Sequence, residues 1–289
     1  NLVSTLNFNK GNYAAMNHSI VELAAFDYDT DSCTDTVYAG DLGGDIFAFN
    51  DRDRDGDWDE SKMRLFSARS ASAGTQNMLL KFFYEPDIVL EKYGDFVFIG
   101  TGDREHPNDT NTVNRFYAIK NTWTSASVNL TEADLEDVTG YNYTATTLTN
   151  LETGKGWFIR FNLRAGEKVE SSPLLYNGIV FFTTFVPDTT GSTSSDPCNV
   201  PIGGGRLYAL DYTTGKAAMN FNTANDTNGI VKDDSDRSTP LGVGIPSPPT
   251  LIVTKDGGAM LIIVTSGPAE TTGAQTIAIP STGKARMYY

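Results

Sequence analysis

The 289-residue chain is 39% hydrophobic and 11% aromatic, enough apolar material for a sizeable core and too much for a disordered chain. Its 22 basic residues stand against 36 acidic ones, a net charge of −14, which repels nucleic acid and anionic lipid and attracts cations. The most apolar run, around LIIV at 261–264, is strand-sized and falls short of the ~18 residues of a membrane helix, so no direct membrane span is expected.

Residues 1–20 contain no basic stretch followed by an apolar one, so an exported protein would be represented here by a mature or trimmed chain. Cys33 and Cys198 form no CxxC or zinc pattern. A single long-range disulfide outside the cytoplasm and two free thiols both remain open.

In chain order, the first feature is DYDTDSCTD at 27–35, which leads directly into the β run TVYAG. Residues 36–50, TVYAGDLGGDIFAFN, read as two strands joined by a small-residue turn. A second acidic stretch, DRDRDGDWD, occupies 51–59. The strand–turn–strand unit returns at 95–121 (DFVFIGTGDREHP…NRFYAIKN), at 178–216 (GIVFFTTFVPD…GGGRLYALDYTTGK) and at 258–270 (GAMLIIVTSGPAE). NLTEADLEDV at 129–138 predicts a short acidic helix capped by Thr131. Three polar stretches, 122–156, 188–203 and 222–239, read as inserted loops.

With Tyr38, Phe98, Phe181 and Ile262 as markers, the repeats are spaced by 60, 83 and 81 residues. A plain propeller blade needs about 40–45, so the loops must lie between the cores of the units. The expected fold is an all-β, modified β-propeller built from four-stranded blades with long inserted loops, forming a single domain over 1–289. A sandwich is the alternative, and a longer propeller with further blades is compatible with the four cores.

The acidic stretches bear on function. Calcium takes several hard oxygen ligands, and an EF-hand-type loop supplies them from positions 1, 3, 5, 7 (a carbonyl) and 9, with Gly at 6. Asp51, Asp53, Asp55, Gly56, the carbonyl of Asp57, and Asp59 match that spacing. Lys62 stands where the bidentate glutamate would be, which excludes a complete EF-hand. Asp27, Asp29, Asp31 and Asp35 repeat the offsets, with Ser32 at position 6 and the backbone carbonyl of Cys33 at position 7. Acidic turns are common on so negative a protein, but clustered carboxylates repel, and a divalent cation reverses the sign of the site. Ca2+ is therefore the expected cofactor at both loops; magnesium wants fewer protein ligands and tighter octahedral geometry.

Several blocks together resemble a known family: the run of aspartates into YAGDLGG (27–44), FVFIGTGDREHP (96–107), GWF…GEKV (156–169), FFTTFVPD…DPC (181–198) and GIPSPP (244–249). In matching order over nearly the whole chain, they are similar to the C-terminal propeller of the PilY/PilC family of type IV pilus tip-associated adhesins and biogenesis factors. The resemblance implies a modified propeller, export to the cell surface, pilus tip or outer membrane, and a calcium loop just before the YAGD strand that influences pilus extension and retraction. That loop maps onto Asp27, Asp29, Asp31 and Asp35; the 51–59 loop rests on spacing alone. The implied protein is not an enzyme. It serves pilus assembly, retraction control and surface adhesion, with minor pilins and a host or abiotic surface as candidate partners.

Other chemistry is less well supplied. YALDYTTGKAAM at 208–219 is similar to the blade signature of quinoprotein dehydrogenases but lacks its tryptophan. His18 and His106 have no second histidine at metal-ligand spacing. His106 reads as a loop residue beside an ion-pair knot of Asp103, Arg104 and Glu105. GGGR at 203–206 and GTGD at 100–103 lack the GK[ST] of a phosphate loop. Paired glycosidase carboxylates can be neither assigned nor excluded in so acidic a chain. A quinoprotein-like dehydrogenase and a periplasmic assembly scaffold remain the alternative functions.

Overall fold

Short β-branched and aromatic runs bounded by Gly, Asn and Asp become strands throughout the computed structural model, which describes residues 17–54, 56, 58, 64–69, 80–91, 94–124, 128–188, 202–227, 229–267 and 274–280. The first sheet is a meander of β1 (Ile20–Phe26), β2 (Thr36–Asp41), β3 (Asp45–Asn50) and β4 (Arg64–Ser67). The second orders β5 (Asp87–Glu91), β6 (Gly94–Gly100), β7 (Arg115–Asn121) and β9 (Gly156–Arg160), with the short β8 (Glu136–Asp137) added in parallel beside β9. In the third, β10 (Lys168–Val169) and β11 (Leu174–Tyr176) both pair with β12 (Ile179–Val186), followed by β13 (Gly204–Asp211) and β14 (Ser238–Val243). The fourth is β15 (Thr250–Val253), β16 (Ala259–Ile263) and β17 (Gln275–Ile279).

Side-chain alternation explains how the sheets stack. On β6, Val97 and Ile99 enter a core shared with Ile46, Ala48 and Leu65 of the first sheet. Phe96 and Phe98 point the other way, into a core shared with Val180 and Phe182 of the third. On β12, Ile179 and Phe181 in turn face Leu261 and Ile263 of the fourth. The second and third sheets are thus partitions buried on both faces, which is why their strands read as unbroken apolar runs. Burying each such side chain stabilises the fold by roughly 2 kcal/mol. Stacked rings of Phe116 and Phe182, with centroids 3.8 Å apart, join the second sheet to the third.

The sequence repeat corresponds to a real structural unit. Each marker lies on a strand paired antiparallel with the next strand, and three of them stand opposite an alanine: Tyr38 with Ala48, Phe98 with Ala118, Phe181 with Ala209. Ile262 stands opposite Thr276. The architecture is all-β and propeller-like, a fan of four sheets with a core between each neighbouring pair. Among the described residues no core joins the fourth sheet back to the first, so the fan is not closed.

Two local expectations are corrected. The acidic helix at 129–138 shrinks to a single 3-10 turn at Glu132–Asp134, capped by a reciprocal Thr131–Asp134 box. Leu135 is drawn into the core immediately afterwards, and β8 begins at Glu136, which ends the turn. The stretch 122–156 is not merely a loop, because it holds α1 (Ala145–Thr153), whose Thr144 side chain accepts from the Thr147 N–H. Its threonine-rich sequence is a poor helix former, so burial of Leu151 and this cap hold it in place.

Candidate metal centre

Between Phe26 and Thr36 the chain must reverse direction, and it does so around its own carboxylates. Thr30 and Ser32 adopt left-handed backbone, at φ 63° and 75°. The Asp27 carboxylate accepts the N–H groups of Asp31 (3.1 Å) and Ser32 (2.6 Å). Asp35 is 7% exposed and accepts the Tyr28 N–H at 3.0 and 3.1 Å and the Thr36 hydroxyl at 2.8 Å. As a result Asp27, Asp29 and Asp35 each bring an oxygen within 4.8 Å of the others. Residual burial pushes the Asp27 carboxyl up, but four backbone N–H groups outweigh it and hold it below the usual carboxylate range. Three converging hard oxygens on a loop preorganised by its own N–H groups fit a divalent, oxygen-preferring cation.

Asp31 is drawn aside. Its carboxylate accepts the Cys33 N–H at 2.8 Å and faces the Arg54 guanidinium at 3.2 Å. Cys33, named for its carbonyl, is an exposed free thiol whose pKa is raised, first by the Asp31 charge. Cys198 lies outside the described residues.

The two acidic stretches are not independent. Arg54, from the second, donates to Asp29 through both Nε and Nη2. Arg52 donates to the Thr36 hydroxyl at 2.9 Å and to the buried Asp95 at 2.6 Å, while its guanidinium lies 4.0 Å over the Tyr28 ring and 4.6 Å over Trp123. Asp95 also accepts from the Tyr38 hydroxyl and the Trp123 indole, both at 2.8 Å. A continuous polar chain therefore runs from Asp35 through Thr36 and Arg52 to Asp95, and so from the first sheet to the second.

Of the second stretch, Asp51 accepts the Gly56 N–H at 3.0 Å, the bend expected of a loop with glycine at position 6. Asp51 and Asp53 form no metal-ligating group among the described residues. Asp55, Asp57 and Asp59 lie outside them. Sequence reasoning missed the arginines, because it treated them as spacers between aspartates.

A third cluster lies elsewhere. Ligand atoms of Asp103, Glu105 and His106 approach within 4.8 Å, but Lys81 already binds Asp103 at 2.8 Å and Glu105 at 3.4 Å. The expected ion-pair knot exists with different cations. Arg104 lies over the Tyr84 ring, 6.0 Å from its centroid, and the Lys168 ammonium donates to the carbonyls of His106, Pro107 and Asp109.

No family model matches the chain. A type IV pilus biogenesis factor PilY1 homolog of Xylella fastidiosa strain Temecula1 is 26% identical over 221 residues, which is 68% of this chain and 14% of that protein's length. The crystal structure of the Pseudomonas aeruginosa PilY1 C-terminal domain superposes with a TM-score of 0.57 at 17% identity, covering 88% of this chain and 60% of that one. A Cellvibrio cellulosa α-L-arabinanase aligns at a TM-score of 0.28, too low to bear on the fold. The chain is PilY1-like in sequence, and its all-β fan is the propeller-like fold of the PilY1 C-terminal domain.

Proposed function

We propose that this chain is the propeller-like part of an exported, type IV pilus-associated factor that works by binding and not by catalysis. Its loop Asp27–Asp35 holds calcium through Asp27, Asp29, Asp31 and Asp35 with the carbonyl of Cys33. The convergence of the Asp27, Asp29 and Asp35 oxygens within 4.8 Å carries this reading. Likeness to the PilY1 homolog supports the pilus context. When bound, calcium would neutralise the clustered carboxylates and stiffen the loop.

The residues of this chain supply the coupling. Asp35 sits at the entry of β2, and Thr36 and Arg52 tie it to Asp95 in the seam between the first two sheets. Order in the loop thereby fixes a surface for minor pilins at the pilus tip, and through it assembly, retraction and attachment. The stretch 51–59 is a candidate second calcium loop that also contributes Arg52 and Arg54 to the first. Co-purification with minor pilins, with and without a calcium chelator, tests the reading: capture that weakens on chelation is expected, and capture that never occurs contradicts it.

A further inference from the structure

A cavity of about 600 Å³ opens between the second and third sheets and shares no residue with either aspartate loop. Four of the chain's eleven arginines, Arg160, Arg164, Arg206 and Arg237, line it, on a protein of net charge −14. Three of them are paired: Arg160 with Asp137 at 3.2 Å, Arg164 with Glu167 at 3.1 Å, and Arg237 with Asp234 at 3.3 Å. Arg206 differs. Half-buried on β13, it donates to the Ser238 hydroxyl at 2.9 Å and the Ser238 carbonyl at 3.2 Å, and no carboxylate among the described residues lies within ion-pair distance of it.

The acid behind it is already committed. Glu167 is buried; its Oε1 accepts the Thr184 and Tyr208 hydroxyls at 2.9 and 2.8 Å, and its Oε2 faces Arg164. Burial first, and then the Arg164 charge, push Arg206 below its ordinary pKa. Glu167 is thus taken by Arg164, and Arg206 has no direct ion-pair partner among the described residues; Asp233, which also lines the cavity, lies beyond ion-pair distance of it. Across the cavity stand Asp234, half exposed and paired with Arg237, and Ser235, whose hydroxyl donates to Asp233 at 2.6 Å and accepts from Asn222 at 2.8 Å. A ligand hydroxyl would donate to the remaining Asp234 oxygen and exchange with the Ser235 bond.

We infer that this cavity binds a small acidic sugar, its oxyanion seated on Arg206 and Arg164 and its hydroxyls turned toward Asp234 and Ser235. A guanidinium fork matches a carboxylate or phosphate and gains most where it is partly desolvated. The volume suits one or two sugar rings. A polyanionic macromolecule would meet the repulsion of the whole chain. The site is independent of the calcium reading.

The test is calorimetry and thermal melting of the intact chain in calcium-free, low-salt buffer, with glucuronate, glucose 6-phosphate, inorganic phosphate and glucose as probes. At least one of the two sugar acids is expected to bind and raise the melting temperature, and the tighter one identifies the oxyanion. Glucose and inorganic phosphate are each expected to bind about tenfold more weakly or not at all. Arg206→Met is expected to weaken the sugar acid about tenfold or more and to raise the ligand-free melting temperature by removing the repulsion with Arg164. Arg164→Ala, at a side chain 33% exposed, serves where Arg206→Met fails to fold, with the same loss expected. No binding of either acid, equal binding of glucose or of phosphate alone, or undiminished affinity in the folded variant overturns the inference.

Discussion

Arg52 and Arg54 lie in the same acidic stretch as five aspartates, and both reach out of it to bind carboxylates elsewhere. Arg54 stands on Asp29 and Asp31 as an internal cation, in the place that calcium would neutralise. Arg54→Ala is expected to tighten calcium binding severalfold, read by competition with a calcium-sensitive dye; weaker binding would mean that the arginine builds the loop instead of competing for it. Arg52 is different, because Asp95 is almost wholly buried and loses its cation in Arg52→Met. Stripping a buried pair of one partner costs about 3 kcal/mol, which a lower urea midpoint at unchanged m would register. Spacing alone made the 1-3-5-9 aspartates legible. The direction of an arginine side chain leaving a loop is set by tertiary contacts, so the link between the two stretches was not.

At the scale of elements, strands were legible where period-2 alternation met β-branched and aromatic residues, and the partition of those residues between two cores explains why the runs were continuous. The helix α1 was not legible, since its four threonines and Asn150 carry little helical signal and only Thr147 and Leu151 dock into the protein. The knot expected of Asp103, Arg104 and Glu105 draws its cation from Lys81 instead of Arg104, and Lys168 ties the carbonyls that follow; both lysines are distant in sequence. Contacts between elements also set pH behaviour. Asp87 on β5 accepts the Leu175 N–H of β11, tying the second sheet to the third, and burial pushes its carboxyl up to about 6 against those hydrogen bonds. A raised carboxyl favours the folded state most below its unfolded value near 3.8, and that contribution is lost as pH rises through about 6. Asp87→Asn is expected to remove about 2 kcal/mol of the stability difference between pH 4 and pH 7, measured by urea unfolding at both. An unchanged difference would place the titration elsewhere.

For the whole molecule, the repeat was enough to foresee an all-β fan and to mark where its units begin, because in three of the four units an aromatic marker sits opposite an alanine in the next strand. The open arrangement of the sheets was beyond the sequence, since closure depends on which faces meet. In the molecule as a whole, the aspartate loop, the Arg52–Asp95 link and the first inter-sheet seam form one connected path, so on the proposed calcium reading an ion bound at the loop would act on the interface between the first two sheets. Calorimetric titration with calcium of the metal-free chain and of Asp27→Ala tests this most directly. The intact chain is expected to take up calcium saturably, with one equivalent missing in the variant. No saturable uptake, or identical uptake by the two proteins, would contradict a calcium site in the Asp27–Asp35 loop.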